Sequence, residues 1–214
     1  EASFNQVQVQ QNIDMTFAAG VRALMRQDPD IIMVGEIRDM ETADMAVQAA
    51  LTGHLVLSTL HTNDAPSAVT RLLDLGTPAY LLNATLLGVM AQRLVRTLCP
   101  HCKQASPMTH EEEEIWQAMV SPWKAAKPQK VYHPVGCLDC RMTGYVGRVG
   151  LYEIMLMSPE LRKLVTPTTE LSKVREQAYR EGMKPLRISG AMKVAAGLTT
   201  LEEVLQAAPP AQSE

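Results

Sequence analysis

Apolar residues recur at helical spacing over 16–27, where Phe17, Val21, Leu24 and Met25 share a face and Thr16 stands at the N-cap position. Asp28-Pro29 ends that run. Ile31-Ile32-Met33-Val34 then follows Asp30 as an unbroken apolar stretch, the character of a buried parallel strand. The Ala-rich segment 41–51 predicts a helix closed by Gly53, and 54–60 predicts a second buried strand. Asn63 or Asp64 caps a further helix with Pro66 near its first turn and Gly76 at its end. Strand, helix, strand, helix implies a parallel sheet covered by helices.

Beyond residue 79 the pattern becomes helix-rich. Residues 79–98 read as one long helix, and 109–119 as a short one opened by Thr109 and Glu112 at capping-box spacing. The Pro- and Lys-rich stretch 121–130 is a connector, and 148–155 a strand. Three short helices fill 158–207, and 208–214 is a flexible Pro-containing tail. No internal repeat is present.

Composition narrows the class. A chain of 214 residues holds one domain or one and a half, with a real core. A hydrophobic fraction of 46% and a charged fraction of 20% describe a folded globular protein. The formal net charge of -3 gives no support for bulk nucleic-acid binding, and no basic, aromatic-lined stripe occurs. The longest apolar-rich stretch, 79–98, is interrupted by Asn83, Gln92, Arg93 and Arg96, so no segment crosses a bilayer. The N-terminus has no basic region, no apolar signal core and no initiator Met, which suggests a processed or truncated chain. The 13 methionines are scattered, and Met15, Met25, Met33, Met40 and Met45 read as core filler. The acid run 111–114 falls in the first turns of a helix, where the macrodipole favours it, and reads as a solvated face.

Two places carry chemistry in the first half. The apolar run 31–34 leads to Glu36, at the carboxyl end of a strand, where α/β folds bind ligands. A carboxylate there can hold Mg²⁺ or orient an attacking water. The second strand runs into Ser58, Thr59 and His61, hydroxyls and an imidazole able to meet a phosphate or its water. His54 lies at that strand's other end and ranks below His61.

Cysteine spacing supplies a third feature. Cys99-Pro-His-Cys102 and Cys137-Leu-Asp-Cys140 are separated by 34 residues. Each pair can deliver two sulfurs to one ion from a tight turn, and two pairs complete a tetrahedral four-thiolate set of the structural zinc kind. His101 is a possible competing ligand. Arg96, Lys103 and Arg141 lie close enough in sequence to offset the net charge of four thiolates around Zn²⁺. Filled positions around the ion argue against catalysis there.

Taken together, 26–39 and 52–63 resemble the Walker B segment and histidine box of the general secretory pathway protein E family of ATPases. The resemblance continues through Ala91-Gln92-Arg93-Leu94, Cys99-Pro-His-Cys102, Gly144-x-x-Gly147-Arg148 and Gly197-Leu-Thr-Thr-Leu-Glu-Glu-Val204. It implies a partial RecA-like parallel sheet with flanking helices over 1–98, a tetracysteine zinc lobe over 99–147 and a helical C-terminal region over 148–207. It implies Glu36 as the Walker B acid near Mg²⁺ and His61 as the group near the γ-phosphate, with Ser58 and Thr59 beside it. Arg38 is implied as an arginine that can reach a neighbouring subunit's phosphate; Arg22 and Arg26 are weaker candidates. The family consists of hexameric ATPases of type II secretion and type IV pilus assembly. They are cytoplasmic and peripheral at the bacterial inner membrane, bound through platform and other secretion or pilus proteins. No Gly-x-x-x-x-Gly-Lys-Ser/Thr loop occurs in these 214 residues, so the chain by itself is expected not to hydrolyse ATP. A second reading, a non-catalytic zinc-bearing docking or regulatory module, stays open.

Overall fold

A computed structural model describes residues 4–123 and 125–208. The chain folds as two compact units, the first running up to Val89 and resuming over Met155–Glu181, the second comprising Met90–Ile154 and the chain from Gly182 onward. The tail expected to be flexible lies, from 209, outside the described residues.

In the first unit, α1 (Phe17–Leu24) starts where predicted, with the Thr16 hydroxyl accepting from the Ala19 N–H. β1 (Ile31–Val34) and β2 (Leu55–Ser58) pair in parallel, Ile31 opposite Leu55 and Val34 opposite Ser58. Between them runs α2 (Met40–Leu51), opened by the Asp39 carboxylate accepting from the Thr42 N–H at 2.8 Å. His54 serves this helix's other end, its Nδ1 lying 2.9 Å from the Ala49 carbonyl. Val21, Ile32, Val34 and Ala49 form a core with Phe17, Leu24, Met25, Met45 and Val56 packed on it. α3 (Pro66–Asp74) and α4 (Ala79–Thr85) follow, and α6 (Pro159–Leu164) and α7 (Leu171–Arg180) return to this unit. The Asn83 amide donates to the Val165 carbonyl, and the Arg162 guanidinium to the carbonyls of Asn83 and Leu86.

Several expectations need correcting. The two parallel strands are not buried on both faces: Ile31, Met33, Leu55 and Leu57 are exposed, because none of the described elements covers that side. Met33, on that side, and Met40, at the start of α2, are exposed rather than core filler, unlike Met25 and Met45. The long helix over 79–98 is instead α4 followed by the strand β3 (Gly88–Leu98), which pairs with β6 (Tyr145–Leu156). β3 alternates inward at Ala91 and Val95 and outward at Met90, Gln92, Leu94 and Arg96. Apolar residues on its outer face (Met90, Leu94) hide that alternation and mimic helical spacing. After β6 the described residues form four helices rather than three, and these are divided between the two units.

In the second unit, β4 (Gln104–Ser106) and β5 (Val131–His133) form a short antiparallel ribbon. α5 (His110–Val120) carries the complete capping box, Thr109 accepting from the Glu112 N–H and Glu112 accepting from the Thr109 N–H. α5 packs against α8 (Leu186–Ala195) and α9 (Leu201–Ala207), and its Trp116 and Met119 are buried. Among the described residues no helix is long and apolar enough to cross a membrane.

Candidate nucleotide and metal sites

The loops beyond β1 and β2 are tied to each other. The Ile37 N–H donates to the Thr59 carbonyl at 3.0 Å, and the Thr59 hydroxyl donates to the Gly35 carbonyl at 2.6 Å. These bonds bring Glu36 and His61, 25 residues apart, to the same place. His61 Nε2 lies 3.2 Å from Glu36 Oε2, and Arg38 Nε lies 2.6 Å from the same oxygen. The Arg38 guanidinium, with His61 behind it, holds the Glu36 carboxyl below the ordinary carboxylate range against a smaller opposing effect of burial. Glu36 is therefore an ionised carboxylate, chemistry that fits a divalent cation or a polarised water. The cluster is open: the Arg38 and His61 side chains are 69% and 84% exposed, the Glu36 side chain 20%.

Ser58 ends β2 as an exposed hydroxyl in register with Val34. Thr59 has its hydroxyl committed to backbone, so it ties the two loops together. Arg22, on α1, and Arg26, in the 3-10 turn after it, are exposed.

One pair behind the cluster was not foreseen. Arg175 of α7 contacts Asp64 at 2.6 Å, and Asp64 in turn accepts from the Ser67 N–H at 2.8 Å. Burial pushes the Asp64 carboxyl up, but Ser67 and Arg175 outweigh it and leave the group below its ordinary range. The N-cap residue of α3 is Ala65, not Asn63 or Asp64, but the Asp64 side chain, one position earlier, accepts from the first turn in its place and anchors the loop after His61. A basic residue 111 positions away carries no local signal of such a partnership.

The four cysteines converge. Cys99 Sγ lies 3.8 Å from Cys137 Sγ, Cys102 Sγ 3.8 Å from Cys140 Sγ, and Cys137 Sγ 3.7 Å from Cys140 Sγ. All four sulfurs lie within 4.8 Å of one another, and none is in a disulfide. Sulfurs about 2.3 Å from a central zinc in tetrahedral array stand roughly 3.8 Å apart, so three of the six sulfur pairs already stand at the spacing a tetrahedral ion requires. Backbone N–H groups already point at the sulfurs: Gly136 to Cys102, and Cys137 and Gly144 to Cys140. Burial pushes the Cys140 thiol up, but those two N–H groups together with the thiols of Cys137 and Cys102 outweigh it and bring it down to about 6. The Cys140 N–H lowers Cys137, but burial and the thiols of Cys140 and Cys99 push it up to about 11. A cation that replaces the shared protons relieves this crowding.

Gly144 makes the second turn possible. Its φ is +76°, and a Cβ there would lie 2.4 Å from Pro134 Cβ. Its carbonyl also accepts from the Cys99 N–H, joining the two cysteine pairs through backbone. Two of the three cations expected to balance the thiolates are engaged elsewhere. Arg96 pairs with Glu203 and Lys103 donates to the Gly197 carbonyl. Their reach along the chain favours distant acceptors over the nearby sulfurs. His101 is exposed and is not among the clustered ligands.

The fold and its sites thus describe an α/β protein with an acid–histidine–arginine cluster beyond two parallel strands, and with a four-thiol metal-binding set. The chain belongs to the Type II/IV secretion system protein family, whose model matches residues 1–206. It is 58% identical over 209 residues to the type IV pilus assembly ATPase TfpB of Acinetobacter baylyi, covering 98% of this chain and 35% of that protein. It is 47% identical over 205 residues to the type II secretion system ATPase E of Vibrio cholerae, covering 94% of this chain and 39% of that protein. The chain therefore spans little more than a third of the length of these relatives. Among solved structures it is similar to the pilus retraction motor PilT with bound ADP, with a TM-score of 0.62 and 27% identity, covering 97% of this chain and 48% of that one. A likeness to the ATPase DotB of Legionella pneumophila, with a TM-score of 0.60 and 24% identity over 89% of this chain and 42% of that one, concerns the fold.

Proposed function

We propose that this chain is the C-terminal part of a hexameric ATPase that drives protein export or pilus assembly from the cytoplasmic side of the bacterial inner membrane. The observation that carries this reading is the convergence of Arg38 and His61 on one oxygen of Glu36, beyond the carboxyl ends of two parallel strands, in a chain whose relatives are named ATPases. Bound Mg-ATP supplies the phosphoanhydride whose hydrolysis releases free energy. Glu36 holds the metal's charge or orients water, and its lowered pKa keeps it ionised for that work. His61 donates from Nε2 toward developing negative charge, and Ser58 adds a hydroxyl at the strand end. Arg38 neutralises Glu36 until nucleotide takes its place, and is then free to serve a phosphate, its own or a neighbour's. The four cysteines hold a structural zinc that shapes the surface through which platform and other secretion or pilus proteins are engaged.

The test is Glu36→Gln in the intact protein. ATP binding is retained and turnover falls by about 10²–10⁴-fold, as expected when a positioned acid or base is lost. Turnover within about threefold of the unchanged protein would remove Glu36 from the reaction.

A further inference from the structure

The C-terminal segment 197–204 carries part of the family resemblance but none of the chemistry assigned so far. Its contacts show what it does. The Thr199 hydroxyl, fully buried, donates to the Arg96 carbonyl at 2.8 Å. The Glu203 carboxylate accepts from the Arg96 backbone N–H at 2.9 Å through Oε2, and from Nε at 2.9 Å and Nη2 at 2.5 Å through Oε1. The Leu198 carbonyl accepts from the Leu98 N–H at 2.8 Å. The Gly197 carbonyl accepts from Lys103 Nζ at 2.7 Å. These four attachments fall on Arg96, Leu98 and Lys103, which bracket Cys99-Pro-His-Cys102 on both sides.

We propose that segment 197–203 is the positioning element of the first cysteine pair. It pins the end of β3 and the residue after Cys102, and so presents the two sulfurs to the second pair before an ion arrives. The proposal rests on the reading of the four cysteines as a metal site.

Three features separate this arrangement from ordinary packing. Glu203 is 7% exposed, so a buried carboxylate is spent on the backbone and side chain of one residue, three positions before Cys99. Arg96, so held, also stacks over the Tyr145 ring at 4.2 Å, and Tyr145 follows Gly144, the residue whose N–H reaches Cys140. The same carboxylate thus steadies both cysteine turns. Gly197 is needed where it stands: its φ is +68°, and a Cβ would lie 2.7 Å from Tyr132 ring atoms, on the ring over which Lys103 Nζ sits at 4.7 Å. None of these groups touches a sulfur. Each fixes backbone beside one, which is how residues outside the ligand set tune a metal site.

The experiment uses the full chain, with Zn²⁺ affinity measured by competition against a chromophoric chelator and the ligand set read from the absorption bands of the Co²⁺-loaded protein. Glu203→Gln and Thr199→Val remove one attachment each; Thr199→Ser keeps the hydroxyl. Ile188→Ala, a buried change near the start of α8 and outside the segment, is the comparator for simple loss of stability. Glu203→Gln and Thr199→Val weaken Zn²⁺ binding by about 10–100-fold, the range of changes behind metal ligands, with the four-sulfur Co²⁺ bands retained. Thr199→Ser binds as the unchanged chain does. Affinity losses no larger than that of Ile188→Ala, at matched urea midpoints of the metal-free proteins, overturn the proposal. Failure of the unchanged chain to take up either metal removes the metal reading itself, and the positioning role with it. Should Glu203→Gln not fold, the Thr199→Val and Thr199→Ser pair decides the question alone.

Discussion

The two candidate sites differ in how much of themselves this chain supplies. The cysteine cluster is closed. Its sulfurs stand 3.7–3.8 Å apart in three pairs, Cys99 and Cys140 are buried, and backbone N–H groups already serve the thiolates. The Glu36 cluster is open, with Arg38 and His61 mostly in solvent and one carboxylate oxygen receiving both. A structural ligand set can be finished within 42 residues of one chain, because a metal ion asks only for four donors in a tetrahedron. A site for a nucleotide must admit and release its ligand, so its polar groups stay accessible and their geometry is completed on binding.

The largest difference the comparison predicts is in the response to metal removal. Structural zinc contributes folding free energy directly, on the order of 10 kcal/mol in small zinc modules. Stripping it with a chelator should release amide protection in the cysteine turns, 99–102 and 136–144, while Arg96 and Leu98, held by segment 197–203, and β1, α2 and β2 keep theirs. Hydrogen exchange followed by mass spectrometry reads both regions in one sample. About one equivalent of zinc per chain is expected beforehand. Equal loss of protection across β1–α2–β2 would show that the closed site supports the open one as well, and equal retention in both would show that the ion is not structural.

How far each region was legible follows the same division. The cysteines declare themselves by spacing alone, and the caps at Thr16 and Thr109 were readable because the groups they satisfy lie three residues away. Glu36 and His61 were placed at strand ends by the apolar runs before them, and the loop bonds through Ile37 and Thr59 bring them to 3.2 Å. β3 was misread because a strand whose outer face carries Met90 and Leu94 has no visible alternation. Its identity depends on β6, a partner far along the chain that local pattern does not register. The Arg175–Asp64 and Arg96–Glu203 pairs were invisible for the same reason: at separations of 111 and 107 residues, only the fold shows which charge meets which.

The next effect in size concerns what completes the open site. On the proposed function, a bound nucleotide draws the exposed Arg38 from Glu36 toward a phosphate, and arginines that reach a neighbouring subunit's phosphate contribute about 10³–10⁵ in rate. Rings mixed from Arg38→Ala and Glu36→Gln subunits distinguish the two cases. Each subunit type lacks one group, yet some interfaces in a mixed ring carry a full set if Arg38 acts across the boundary, and activity partly returns. If Arg38 acts only on its own subunit's nucleotide, every site lacks one group and no activity returns in rings shown to be mixed. That outcome would leave Arg38 as the local partner that the 2.6 Å contact with Glu36 already describes.

The smallest effect tests what steadies the open site from behind. Asp64 anchors the loop after His61 through the Ser67 N–H and Arg175, and its carboxyl lies below the ordinary range as a result. A carboxylate with a lowered folded pKa contributes stability that is fully present above the unfolded value, about 3.9 for Asp, and is lost as pH falls through the folded value. Asp64→Asn keeps a side-chain oxygen for the cap and removes the charge, so it isolates the pairing with Arg175. Both side chains are partly exposed, 25% for Asp64 and 38% for Arg175, so screening holds the difference to about 1 kcal/mol. Hydrogen exchange over 61–74, compared between the unchanged chain and Asp64→Asn so that intrinsic rates cancel, should show that gap near pH 6. The gap should begin to narrow as pH drops below about 3.9 and close once pH falls below the lowered folded value, where the unchanged carboxyl is neutral like the amide. A gap that persists undiminished at pH 2–3 would mean that the cap geometry, rather than the charge, holds the loop after His61. Protonation of the cysteine thiolates and loss of their metal set in at higher pH and affect both proteins alike. They leave the difference over 61–74 to report on Asp64.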